Sequence, residues 1–146
     1  MPNTKETGNY GEIQASNYLV KKGYTIIAKN YYGKHGEIDI IAVTPDNTTL
    51  VFVEVKTRKS KLFGYAAESI DKKKIQSIIR TAENFMFENP SEHQIRFDVI
   101  EVYYKIINND ELILDEINHI ENAFYDISNY ISVSYTHLTL PTILLV

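Results

Sequence analysis

Gly36-Glu37-Ile38-Asp39-Ile40-Ile41-Ala42-Val43 and Leu50-Val51-Phe52-Val53-Glu54-Val55-Lys56 are two runs of largely β-branched residues with ionised side chains set among them. Strand-forming runs this apolar are covered by other elements, and an unpaired charge inside them is expensive. Asp39, Glu54 and Lys56 therefore require a metal ion, a mutual ion pair or a substrate. The turn-rich Thr44-Pro45-Asp46-Asn47-Thr48 between the runs predicts an antiparallel pair. On a strand, residues i and i+2 share a face, so Glu54 and Lys56 stand ~6.6 Å apart beside Leu50 and Phe52, with Val51, Val53 and Val55 on the reverse. Asp39 meets Glu54 across the ladder if the register aligns them, and two opposed carboxylates need positive charge between them. Mg²⁺ or Mn²⁺ supplies it, because hard cations take carboxylate oxygens and magnesium keeps waters, one of which can be a nucleophile. The backbone carbonyl of Val55 is a further candidate ligand. Lys56 is then placed to stabilise the charge developing on a phosphodiester, or to orient the attacking water.

Upstream of the two runs, Tyr10–Lys22 reads as a helix with Ala15, Tyr18 and Leu19 on its apolar side and Gly23 as its stop. Glu12 lies three residues before Ala15 and seven before Leu19, on the buried stripe, which makes it a fourth candidate acid holding the metal through water. Glu37 is one residue out of phase with Asp39 and takes a supporting role at best. Tyr24–Asn30 predicts a first strand. Residues 57–71 predict a basic, glycine-containing loop, with Tyr31, Tyr32 and His35 as loop packing before the pair. Asp71 caps a helix over 72–88, in which Ile75, Ile78, Ile79, Ala82, Phe85 and Met86 recur at helical spacing until Asn89-Pro90. Arg96–Tyr104 and Leu112–Ile117 predict two more strands, Arg96 and Asp98 forming a local ion pair. The histidines show no ligand spacing for zinc. The fold expected is α/β, a mixed central sheet of four to five strands flanked by helices.

At 146 residues and 44% hydrophobic, the chain suits one domain with a proper core, here residues 1–126. No apolar stretch reaches the length of a membrane helix, no targeting signal opens the chain, and zero cysteines fit a reducing compartment, so the cytoplasm is expected. Residues 127–146 form a tail. After Asp126 no charged residue appears, and Val133–Val146 has neither helical nor strand periodicity; it resembles translated adaptor or vector sequence, the alternatives being a β-edge tail or a partner-binding peptide.

A net charge of −4 argues against nucleic acid until its distribution is read. Residues 56–80 carry eight Lys and Arg against two acids, whereas 81–146 carry two against eleven. Phosphate binding depends on the local patch, not on the total. Arg58, Lys59, Lys61, Lys72, Lys73 and Lys74 are the candidate phosphate contacts, giving salt-sensitive binding without sequence specificity.

Gly11-Glu12-x-x-Ala15, Gly36-Glu37-Ile38-Asp39, Phe52-Val53-Glu54-Val55-Lys56-Thr57-Arg58, Arg96-Phe97-Asp98-Val99 and His119-Ile120-x-Asn122-Ala123-Phe124 resemble, in that order, the YraN family of bacterial proteins. The resemblance covers roughly residues 8–124. It implies a restriction-endonuclease-like fold, similar to archaeal Holliday-junction resolvases, whose signature is an acid, a gap, then acid-x-Lys. By that resemblance Glu12, Asp39, Glu54 and Lys56 map onto a catalytic set. The expected function is a Mg²⁺-dependent endonuclease-like protein acting on branched or structured DNA, as a homodimer if it cuts four-way junctions. The alternative is a catalytically silent nucleic-acid-binding or partner-docking module on the same fold. A third reading makes Asp39, Glu54 and Lys56 a buried structural network.

Overall fold

The computed structural model describes residues 2–60, 70–125 and 144–145. In chain order the elements are α1 (Thr4–Lys21), β1 (Thr25–Gly33), β2 (Gly36–Val43), β3 (Thr49–Lys59), α2 (Lys72–Glu88), β4 (Gln94–Ile107), β5 (Glu111–Tyr125) and the two-residue β6 (Leu144–Leu145). They build one mixed α/β sheet in the order β1-β2-β3-β4-β5-β6. The β1/β2, β2/β3 and β4/β5 pairs are antiparallel, whereas β3/β4 is parallel, with α2 lying in the connection a parallel pair requires. Five long strands match the number expected; β6 adds a short parallel contact at Phe124–Tyr125. The rest of the tail, and Lys61 with the remainder of 61–69, lie outside the described residues.

Side-chain alternation on the central strands creates two cores. Ile40, Ala42, Val51, Val53, Ile100 and Val102 face α1 through Ala15 and Leu19. Ile41, Val43, Leu50, Phe52, Phe97 and Val99 face α2 through Ile75, Ile78, Ile79, Ala82 and Phe85. Phe52 stacks on Phe97 at 5.5 Å, Phe97 on Phe124 at 5.2 Å, and Phe85 meets Phe52 edge-on at 6.0 Å. Truncating Phe52, which is fully buried, costs about 3–5 kcal/mol.

Three local expectations change. Helix α1 begins at Thr4, not Tyr10, because Asn3 and Glu6 form a reciprocal capping box that satisfies the first free N–H groups. Tyr31 and Tyr32 belong to β1 and not to a loop; the Tyr31 ring packs edge-on against Phe85 while its hydroxyl bonds Glu88. Strand β3 runs on to Lys59, held parallel to β4 as far as Tyr104, so Thr57, Arg58 and Lys59 are strand residues.

Candidate active site

The β2/β3 ladder runs from Val43↔Leu50 to Ile40↔Val53. Asp39 and Glu54 are the next residues on the two strands, just past that last pair. There the backbone pairing has ended, and the Val55 N–H donates to Asp39 Oδ2 at 2.8 Å. A carboxylate has replaced a ladder carbonyl, which lets the strands separate without orphaning a donor. Asp39 is thus tied to the backbone of the residue between Glu54 and Lys56.

Glu54 is 6% exposed and shares the α2-facing side of β3 with Leu50 and Phe52. Its Oε1 lies 3.9 Å from Lys56 Nζ and 3.7 Å from Lys74 Nζ, the second ammonium arriving from the first turn of α2. Its Oε2 is buried with no hydrogen-bond partner among the described residues. Burial, and then the Asp39 charge, push the Glu54 carboxyl up to about 7 against the pull of both lysines. Asp39 is raised as well, first by burial and then by Glu37, although the Val55 N–H and the lysines oppose this. Burial outweighs the pull of the two lysines on both carboxyls, and Glu37 adds further negative charge beside them.

Glu12 joins from the α1 side. Its carboxyl is raised by burial, Asp39 and Glu37, and is opposed by a hydrogen bond from Asn30. Close packing puts it there: a Cβ on Gly11 would overlap Thr57 Oγ1, so α1 rests directly on β3. Asp39 is the acid whose charge reaches both Glu54 and Glu12, and Glu37 adds to the same field.

The predicted phosphate contacts divide. Lys59, Lys72 and Lys73 are exposed, and Arg58 is half-buried in register with Tyr103. Lys74 stands on Glu54 and is the closer of the two lysines. Among the described residues no three His, Asp or Glu side chains converge as they stand. Magnesium usually binds through one or two carboxylates and keeps its waters, so a pair with one unsatisfied oxygen fits it.

The family model described as uncharacterised protein family UPF0102 matches residues 11–102. A UPF0102 protein of Clostridioides difficile is 48% identical over 123 residues, covering 84% of this chain and 99% of that protein. One from Caldanaerobacter subterraneus subsp. tengcongensis is 46% identical over 123 residues, covering 84% and 97%. The chain belongs to family UPF0102. Among solved structures, a repair endonuclease from Pyrococcus abyssi is similar at a TM-score of 0.39 and 17% identity, over 75% of this chain and 41% of that one. Pyrococcus furiosus SfsA in complex with Ca²⁺ gives 0.43 and 13%, over 79% and 64%.

This UPF0102 chain holds a second polar constellation on the other side of the sheet. Asp98, fully buried, accepts from Arg96 Nε and Nη2 at 2.9 and 2.8 Å, from His119 Nε2 at 2.7 Å and from the Asn122 N–H at 2.9 Å. His119 Nδ1 lies 3.3 Å from the Tyr18 hydroxyl, which accepts from Lys22 Nζ at 3.0 Å. Burial would raise the Asp98 carboxyl, but these donors outweigh it and hold it below its usual range. The register shift opposite Asp98 and the positive φ of Asn122 turn that N–H inward. Arg96 and Asp98 pair as expected, but on the α1-facing side with Val53, where they clamp α1 to β4 and β5. No helix among the described residues is long and apolar enough to cross a membrane.

Proposed function

We propose that the chain is a restriction-endonuclease-like, metal-dependent nuclease that binds and cuts structured or branched DNA. The observation that carries this reading is Glu54: a buried carboxylate beside Asp39, with Oε1 occupied by two lysines and Oε2 left without a partner. An apolar strand keeps such an arrangement only at a cost, and a cation at Oε2 removes it. Asp39, Glu54 Oε2 and the Val55 carbonyl would hold Mg²⁺ or Mn²⁺, with Glu12 reaching it through water. Bound there, the ion would supply Lewis acidity to a phosphoryl oxygen and a more acidic water. Lys56 then contributes an ammonium to the phosphate under attack.

The DNA-facing charges support the same reading. Lys72 and Lys73 are exposed in the first turn of α2, where each opposes the helix dipole by about 0.3–1 kcal/mol. A polyanion at that helix end offsets the repulsion. Arg58 and Lys59 extend the basic edge along β3.

The test uses the full chain with labelled duplex, single-stranded, flap and four-way-junction DNA, each with EDTA, Mg²⁺ or Mn²⁺. Metal-dependent cutting that Glu54→Ala and Lys56→Ala both abolish is the expected result. Binding without cutting under every condition would leave a nucleic-acid-binding module and sink the catalytic reading.

A further inference from the structure

Lys74 was expected to contact phosphate, as Lys72 and Lys73 are, yet it is half-buried and directed inward. Its Nζ lies 3.7 Å from Glu54 Oε1, against 3.9 Å for Lys56, so one carboxylate oxygen is shared by a lysine of the strand and a lysine of the helix. Two devices fix its position. Asp71 caps α2 by accepting the Lys74 N–H at 2.8 Å, which sets the first turn. Lower on the same helix, Ser77 donates to the carbonyl of His35 and sits where a Cβ of Gly36 would be. Helix α2 is therefore keyed onto the turn that leads into Glu37-Ile38-Asp39, and the key sets the rotation that aims Lys74 at Glu54.

We propose that Lys74 is a positioning residue of this site, holding Glu54 Oε1 so that only Oε2 is presented to the metal. The inference rests on the nuclease reading and adds a division of labour within one carboxylate. With both ammonium groups in place, Glu54 is confined to a single-oxygen contact. Without Lys74, Glu54 can turn both oxygens to the ion and loses a repelling positive charge nearby. The metal then binds more tightly, and the carboxylate geometry that turnover requires is lost. These opposite signs separate Lys74 from a surface lysine, whose removal weakens DNA binding and leaves the metal untouched.

The experiment measures Mn²⁺ binding to the full chain by calorimetry, without DNA, for wild type, Lys74→Met, Lys74→Arg, Glu54→Gln and Arg80→Ala, an exposed position on the same helix. Turnover on the best-cut DNA and thermal melting follow on the same samples. Lys74→Met is expected to bind Mn²⁺ roughly tenfold more tightly, the effect of about 1.4 kcal/mol. Its kcat should fall at least roughly tenfold with KM nearly unchanged. Lys74→Arg should restore much of both, and Arg80→Ala should match wild type. Unchanged Mn²⁺ affinity in Lys74→Met, or a rise in KM alone, overturns the proposal and returns Lys74 to the phosphate contacts. Wild type that binds no Mn²⁺, or binds it equally well as Glu54→Gln, removes the metal site and this inference together. Mn²⁺ binding without cutting sinks catalysis alone, and the affinity comparison still decides the role of Lys74.

Discussion

Asp39 Oδ2 takes the backbone N–H of Val55 at 2.8 Å one step beyond the last β2/β3 pair, so one carboxylate both ends the ladder and opens the site. The two duties separate by substitution. Asp39→Asn keeps an oxygen for the Val55 N–H and removes the charge; folding stability should hold near neutral pH while metal-dependent cutting disappears. Asp39→Ala leaves the N–H without an acceptor, at a cost of about 1–3 kcal/mol. Chemical denaturation alongside the cleavage assay distinguishes them. Equal destabilisation by both changes would show that the Asp39 charge, and not its role as acceptor, holds the strands.

Glu54 gives a pH dependence with a definite sign. Its carboxyl sits at about 7 folded against 4.5 ordinarily, so between those values the folded chain keeps a proton that the unfolded chain has released. Its contribution to stability therefore falls as pH rises through that window, and the full ionisation cost, a few kcal/mol, is present above about 7. Glu54→Gln should melt higher than wild type at pH 8, with the difference shrinking toward pH 4.5. Mg²⁺ at one hundred times its dissociation constant should add about 2.7 kcal/mol to wild type at pH 8 and little to Glu54→Gln. Melting curves in EDTA and in Mg²⁺ at the two pH values check both; a wild type indifferent to Mg²⁺ at pH 8 would contradict the cation site.

The strand pair and α2 were legible because their signals are local: β-branched runs around a turn, and an Asp71 cap followed by helical spacing. Glu54 and Lys56 on one face followed from period two alone. The start of α1 was legible too, in Asn3-x-x-Glu6, but the apolar stripe begins later and drew the boundary to Tyr10. Lys74 at Glu54 and His119 at Asp98 were not legible, since each pairing is fixed by how a helix or a bulged strand lies on the sheet. The keying of α2 at Gly36 was equally out of reach, since its positive φ and its contact with Ser77 exist only in the folded chain.

Asp98 anchors the reverse face through stability. Its carboxyl is held below its ordinary value of 3.8, so its contribution is complete above that value and fades as pH falls through the lower, folded one. Asp98→Ala strands Arg96 and His119 around an empty position and should cost about 3–5 kcal/mol. His119→Ala removes one donor of four and the link to Tyr18, and should cost less. Denaturant midpoints at pH 7 and pH 3 give the comparison: the Asp98→Ala deficit should narrow at the lower pH. A deficit independent of pH would assign the loss to packing.

Gly36 joins the site to α2 and makes the sharpest backbone prediction. Its φ of +150° lies in a region that L side chains rarely adopt, and a Cβ there would overlap Ser77 Oγ. Gly36→Ala therefore strains the turn and pushes α2 from the sheet, carrying Lys74 away from Glu54. The expected loss is about 1–3 kcal/mol of stability together with a larger loss of metal-dependent turnover. Ser77→Ala alone removes the bond to His35 and should cost about 1 kcal/mol. In the double variant the overlapping oxygen is gone, so part of the Gly36→Ala loss should return while the backbone strain remains. A double-mutant cycle on denaturation free energy reads this as a favourable coupling of about 0.5–3 kcal/mol. Strict additivity would mean that α2 is positioned by its apolar face alone, through Ile75, Ile78 and Phe85, and that Gly36 serves only the turn.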